Sequence, residues 1–231
     1  MSETLNMKVI ARIHNDFPTK FGIPRQSALA PELKSMIVFE EEYRDPNALR
    51  EIEQFSHLWL IWQFSEAVRE EWSPTVRPPR LGGNKRFGVF ATRSPFRPNP
   101  IGLSAVKLEK VEIDPKLGPV IYVSGADLMN GTPILDIKPY IPFTDSIPSA
   151  AEGYTAQTVL HQLEVDFPEE LAKKVTPGKL EGLKQVLEQD PRPSYQDDPQ
   201  RIYGLRFADM EVKFCVDGNR LTVKGIEKGT D

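Results

Sequence analysis

The chain has 231 residues, of which 29 are basic and 33 acidic, for a net charge of −4; at 39% hydrophobic residues it is neither disordered nor fibrous and is long enough to bury its own core. Cys215 is the one cysteine and His14, His57 and His161 are scattered, which excludes an intramolecular disulfide and argues against a metal site built from Cys or His. The N-terminus MSETLNMKVI lacks the pattern of a signal peptide, and no apolar run nears the ~18 residues of a membrane span, so a soluble, cytoplasmic protein without metal is expected.

There are 21 prolines, about twice the usual share of roughly 5%. Proline breaks helix interiors and central strands, so short strands and ordered loops are expected. In chain order, Met7 to Ile13 and Met36 to Phe39 read as strands. Asp45-Pro46 reads as a helix start, with a short helix over Asn47 to Phe55. His57 to Phe64 (HLWLIWQF) has the length and apolar content of a strand buried on both faces. Phe87 to Ala91, Leu103 to Ile113, Val120 to Ala126 and Ile134 to Tyr140 complete the strand-rich part. Proline-started helices are then predicted over Pro168 to Val175 and Pro177 to Gln189, the second with apolar residues at 180, 183, 186 and 187. Arg201 to Phe207, Glu211 to Val216 and Arg220 to Gly225 suggest a small antiparallel sheet, with a hairpin turn at Asp217-Gly218-Asn219. The pattern predicts a mainly β domain over 1–148 and a small α+β domain over 149–231.

Charge is unevenly placed. From Ser73 to Leu108 there is no Asp or Glu, while Arg77, Arg80, Lys85, Arg86, Arg93, Arg97 and Lys107 give +7, leaving −11 for the rest. A basic, proline- and glycine-rich stretch in an acidic protein points to a ligand carrying phosphate or another anion. Within it, Gly88 to Ser104 reads GVFATRSPFRPNPIGLS. Pro95, Pro98 and Pro100 stiffen the backbone, so Arg93 and Arg97 project from a frame that loses little entropy on binding. Gly102 leaves room for close approach of a backbone or ligand. Asp136 and Lys138 lie two apart on a strand and share a face, where a structural ion pair and a site role are equally open; Asp127 is read the same way. Trp59, Trp62 and Phe64 read mainly as core.

The Gly88–Ser104 segment closely resembles the signature of the TrmO-type tRNA methyltransferases, a family of TsaA-like domains. Phe21 to Gln26 (FGIPRQ), Asn130 to Tyr140 (NGTPILDIKPY), Asp190 to Gln196 (DPRPSYQ) and the Arg201-Ile-Tyr-Gly run resemble further parts of the family in register. Asn130 departs from the family's frequent Asp. The resemblance implies a β-barrel-like, non-Rossmann N-terminal domain, a small C-terminal domain and a homodimer. It also implies S-adenosylmethionine as methyl donor and, as acceptor, N6 of threonylcarbamoyladenosine beside the anticodon of threonine-accepting tRNAs. No GxGxxG follows a strand, so a dinucleotide fold has no separate support.

Carried over residue by residue, the resemblance assigns cofactor contacts to Pro24, Arg25, Gln26, His57, Leu58, Arg93, Leu103, Asn130, Gly131, Thr132 and Pro133. Arg77, Arg80, Lys85, Arg86, Arg97 and Tyr195 are the candidates for tRNA contact, and Asp136 and Arg97 for groups near the chemistry. The alternatives are a non-catalytic RNA-binding barrel, a phosphate-ester hydrolase, and a TsaA-like methyltransferase acting on another small substrate.

Overall fold

The computed structural model describes residues 4–77, 85–157, 162–193 and 198–229. Six strands form the first unit: β1 (Ala11–His14), β2 (Lys34–Phe39), β3 (His57–Gln63), β6 (Ile101–Asp114), β7 (Gly118–Ser124) and β8 (Pro133–Pro139). Every pairing among them is antiparallel, and the order β1-β2-β7-β6-β3-β8 closes because β8 returns to β1 through Ala11–Ile134 and Arg12–Pro133. A two-stranded ribbon, β4 (Thr75–Val76) with β5 (Phe87–Gly88), stands apart from this sheet.

Side chains alternate across each strand, and the inward set forms the core: Ala11 and Ile13, Ile37 and Phe39, Leu58, Leu60 and Trp62, Val106 and Leu108, Ile121 and Val123, and Ile134. The β3 run is therefore not buried on both faces. Its apolar content hid a period-2 pattern in which Trp59, Ile61 and Gln63 turn outward and stay half-buried. Gly102 lies opposite Trp62, and a Cβ there would overlap the indole ring, so the close approach inferred for this glycine is to a tryptophan of the core.

The second unit is a four-stranded sheet in the order β10-β11-β12-β9, built from β9 (Glu164–Asp166), β10 (Tyr203–Phe207), β11 (Met210–Asp217) and β12 (Arg220–Lys228). The expected antiparallel sheet gains β9, which pairs parallel to β12 and is too short to show a period in sequence. Helix α3 (Leu180–Glu188) buries Leu183, Val186 and Leu187 in the second core. The helix expected over Pro168 to Val175 is one turn, α2 (Glu169–Ala172). The helix expected over Asn47 to Phe55 is two short 3₁₀ turns, interrupted where Glu51 takes a positive φ of 66°. Of Phe87 to Ala91, only β5 is strand, and Val89–Ala91 is a 3₁₀ turn. The first strand starts at Ala11, four residues later than expected. One further helical turn, α1 (Pro142–Asp145), follows β8.

The two cores interlock through residues 15–33, which leave β1 and cross to the second unit before returning as β2. Phe17, Ala30 and Leu33 are buried in the second core with Phe21 and Ile23 packed against it. Phe17 meets Phe207 edge to face, with ring centroids 5.5 Å apart. The Ala208 amide donates to the Asp16 carbonyl at 2.8 Å, Lys179 pairs with the Asp16 carboxylate at 2.7 Å, and the Glu32 amide donates to Gln185 Oε1 at 3.0 Å.

Candidate functional site

The FGIPRQ loop is the far end of that excursion. Its apolar half, Phe21 to Pro24, faces the second unit, whereas Arg25 and Gln26 are exposed. A cleft lies between this loop and the Asp190–Pro193 stretch, lined by Lys20, Pro24, Arg25 and Arg192 among others. Arg192 is held by a two-pronged ion pair to Asp190, with Nε–Oδ1 and Nη2–Oδ2 both 2.9 Å.

Gln26 and Arg93 come together across 67 residues of chain: Arg93 Nη1 donates to Gln26 Oε1. Beneath them lies Asp127, on the stretch after β7. Its Oδ1 accepts from Ser104 Oγ at 2.5 Å, and Ser104 Oγ in turn accepts from Trp62 Nε1 at 2.9 Å. The loop meets this stretch at Ala28, whose amide donates to the Gly125 carbonyl at 2.8 Å, and the charge of Arg93 favours the ionised form of Asp127. Burial pushes the Asp127 carboxyl above the ordinary aspartate value, while Ser104, its own amide, Arg93 and Ser27 pull the other way. Leu103, beside Ser104 on β6, points outward and is 57% exposed. Residues 26–27, 93, 103–104 and 127 thus meet at one edge of the barrel.

The remaining cofactor candidates are placed differently. Leu58 is fully buried and is part of the barrel core, so its side chain is excluded from ligand contact. His57 is exposed, with Nδ1 2.9 Å from Ser56 Oγ and its ring 6.3 Å from that of Tyr140. The Asn130–Pro133 turn ties β1 to β8. Asn130 Oδ1 accepts from the Asn15 amide at 3.1 Å, the Gly131 amide donates to the Ile13 carbonyl at 2.8 Å, and Arg12 Nη1 donates to the Gly131 carbonyl at 3.1 Å. Thr132 and Pro133 are buried, and Gly131, at φ 79°, has open space on its Cβ side. Asn130 therefore uses its side chain to hold the backbone of Asn15.

Asp136 accepts from the Ile137 amide and pairs with Lys138 at 2.8 Å, so the ion pair between the two is formed. Leu103, Ile61 and Asp136 are in register on β6, β3 and β8, which puts Leu103 and Asp136 on one outer face about 10 Å apart, two strand spacings. Arg97 Nη1 donates to the Thr92 carbonyl at 3.2 Å, which fixes it to its own loop. Arg77, Lys85 and Arg86 are exposed around the β4–β5 ribbon, and Arg86 Nη1 reaches Thr75 Oγ1 at 3.2 Å. Arg80 and Tyr195 lie outside the described residues.

Sequence reasoning passed over two features. One is Ser104, a hydroxyl at an inward position of β6 between Gly102 and Val106, visible in principle as a break in the apolar alternation. The other is the exposed aromatics of the basic segment and its approach. Phe90 is 72% and Trp72 53% exposed, their centroids 6.0 Å apart, and the Arg69 guanidinium lies 3.8 Å from the centre of the Phe96 ring. The tryptophans read as core behave as such at Trp62, while Trp59 Nε1 reaches Asp145 Oδ2 at 2.9 Å.

Residues 12–146 match the family described as the tRNA-methyltransferase O N-terminal domain, and residues 160–229 match the TrmO C-terminal domain. A protein of Eikenella corrodens named tRNA (adenine(37)-N6)-methyltransferase is 46% identical over 173 residues, which is 74% of this chain and 97% of that protein. A Pseudomonas aeruginosa protein named putative S-adenosylmethionine-dependent methyltransferase RcsF is 40% identical, covering 90% and 91% of the two chains. A crystal structure of TrmO from Pseudomonas aeruginosa superposes with a TM-score of 0.80 at 33% identity, over 99% of each chain. The fold, both domain matches and full-length relatives agree: this chain is a methyltransferase and belongs to the tRNA-methyltransferase O family.

Proposed function

We propose that this protein transfers a methyl group from S-adenosylmethionine to N6 of adenosine 37 of tRNA, the acceptor being threonylcarbamoyladenosine in threonine-accepting tRNAs, and that it acts as a cytoplasmic homodimer. The observation that carries the reading is the Gln26–Arg93 junction. It joins the FGIPRQ loop to the arginine loop at the barrel edge where Leu103 is exposed. The name of one relative gives N6 of adenine 37 of tRNA as the methylated position, and that of another gives S-adenosylmethionine as the methyl donor.

The residues at this edge fit a zwitterionic nucleoside cofactor. Arg25 and Arg93 carry the positive charge that a carboxylate needs, Gln26 offers an amide, and Leu103 offers an apolar surface to a base. When bound, the cofactor supplies an electrophilic methyl on a sulfonium. The chain's task is to align the N6 lone pair with that methyl at about 3–3.5 Å, because an exocyclic amine conjugated to its ring is a weak nucleophile. An acceptor for the N6 proton would hold the nitrogen as it becomes cationic. Asp136 stays partly exposed beside its pair with Lys138 and shares the outer face with Leu103, which favours it for that role.

The basic segment around the ribbon, with Arg77, Lys85 and Arg86, is assigned to the tRNA backbone, and the exposed Trp72 and Phe90 beside it to unstacked bases. Residues 149–231 complete the tRNA grip. Calorimetric titration with S-adenosylmethionine, followed by mass spectrometry of nucleosides from treated tRNA, tests the reading. Cofactor binding with a 14-Da gain on threonylcarbamoyladenosine is expected, by the mass of one added methylene; tRNA binding without either overturns it.

A further inference from the structure

Asp127 is a part-buried carboxylate with no place in the scheme above, and its surroundings give it one. The segment from Ser73 to Leu108 contains no carboxylate of its own, so any fixed negative charge near Arg93 must come from elsewhere in the chain. Asp127 provides it. The carboxylate is anchored to the barrel wall through Ser104, whose hydroxyl is held by the Trp62 indole. Its stretch is tied to the end of the FGIPRQ loop by the Ala28 amide, two residues after Gln26, which donates at 2.8 Å to the carbonyl of Gly125, two residues before Asp127. The same carboxylate acts on the charge of Arg93, the donor to Gln26. Both halves of the Gln26–Arg93 junction are therefore referred to one group.

An exposed arginine has many rotamers, and ordering its long side chain costs up to roughly 2 kcal/mol of conformational entropy. A rigidly held carboxylate beneath it biases the guanidinium before any ligand arrives, so less of that cost falls on binding. We infer that Asp127 is a positioning residue of the cofactor site: through the Trp62–Ser104 anchor and the Ala28–Gly125 tie it sets the relative placement of Arg93 and Gln26. The inference rests on the cofactor reading of this site given under Proposed function.

The test is a double-mutant cycle read by calorimetric titration of the full-length protein with S-adenosylmethionine. Asp127→Asn keeps the shape and removes the charge. It is expected to weaken cofactor binding about tenfold, the low end of what loss of an outer partner costs at metal sites. In an Arg93→Ala background the same change is expected to add less than about twofold, because it acts through the arginine. Affinity for tRNA, measured by filter binding, is expected to stay within about twofold. In ¹H–¹⁵N spectra the indole N–H signal of Trp62 should move on adding S-adenosylmethionine to the wild type and stay still in Asp127→Asn. Wild-type cofactor affinity in Asp127→Asn, or fully additive losses in the cycle, overturns the inference. If Asp127→Asn does not fold, Ser104→Ala is read by the same criteria, with the same two outcomes. A wild type that binds no S-adenosylmethionine sinks the cofactor reading and this inference with it. A wild type that binds, an Arg93→Ala that does not and an unaffected Asp127→Asn sink the inference alone.

Discussion

Gly22 and Leu205 meet with no space between them: a Cβ on Gly22 would overlap Leu205 Cδ1, and Leu205 is fully buried in the second core. Gly22 also has a φ of 87°, where side-chain-bearing residues are strained. Gly22→Ala is expected to destabilise the protein by about 2–4 kcal/mol, adding overpacking to backbone strain. Urea denaturation measures this; a loss under about 0.5 kcal/mol would mean that Leu205 swings aside.

The same contact changes what a truncation should do. Sequence organisation alone suggests that removing 149–231 would raise the apparent tRNA KM more than the cofactor Kd. In the folded protein the FGIPRQ loop leans on the second core, and Phe17, Ala30 and Leu33 are buried there. Deletion exposes those side chains and removes the backing of Arg25 and Gln26. A fragment of residues 1–148 should lose cofactor affinity as well as tRNA affinity, with fast amide exchange over 15–33. Cofactor binding at full strength by the fragment would show that the loop holds its shape unaided.

Gly102→Ala places a methyl against the Trp62 indole, which also packs on Phe64 at a centroid distance of 4.2 Å. The ring must shift, and its hydrogen bond to Ser104 is strained or lost. A destabilisation of about 1–3 kcal/mol and a changed tryptophan emission are expected. An unchanged emission spectrum would place the adjustment elsewhere.

Glu109 is the extra residue at the β6 bulge between Leu108 and Lys110. There it meets Ser124 at 2.7 Å and Lys34 and Lys107, each at 3.2 Å. The Ser124 hydroxyl, with help from the two lysines, holds its carboxyl down to about 2 from an ordinary 4.5. A carboxylate lowered on folding stabilises the protein above its unfolded value. That stabilisation should be present above about pH 4.5 and fade as pH falls toward 2. Because the group is partly exposed and screened, Glu109→Gln is expected to cost about 1 kcal/mol at pH 7. It should also flatten the pH dependence of Tm below pH 5. An unaltered Tm profile would count against the ion cluster.

Trp72 and Phe90 test the RNA face. Replacing either by Ala is expected to weaken tRNA binding by about 1–3 kcal/mol, the range for one stacked base, without changing the salt dependence. Arg86→Ala should instead lower the salt slope by roughly 0.7–0.9. Filter binding across a salt series separates the two, and a reduced salt slope in the aromatic variants would mean that they act through the basic loop.

The strand over 103–113, the turn at Asp217-Gly218-Asn219, the apolar face of α3 and the charge purity of 73–108 were legible in the sequence. Each depends on residues a few positions apart, where side-chain period and turn chemistry act locally. The motifs at 21–26, 88–104 and 130–140 also identified the family. What the sequence could not show was which motif meets which. That Arg93 reaches Gln26, that Asp127 lies beneath both, and that Phe17 and Leu33 belong to the second core depend on barrel closure. The same holds for Leu58, a site candidate by motif whose side chain the barrel turns inward. Contacts between residues so far apart in the chain are set by register and packing, and those emerge only when both units close around the excursion from β1 to β2.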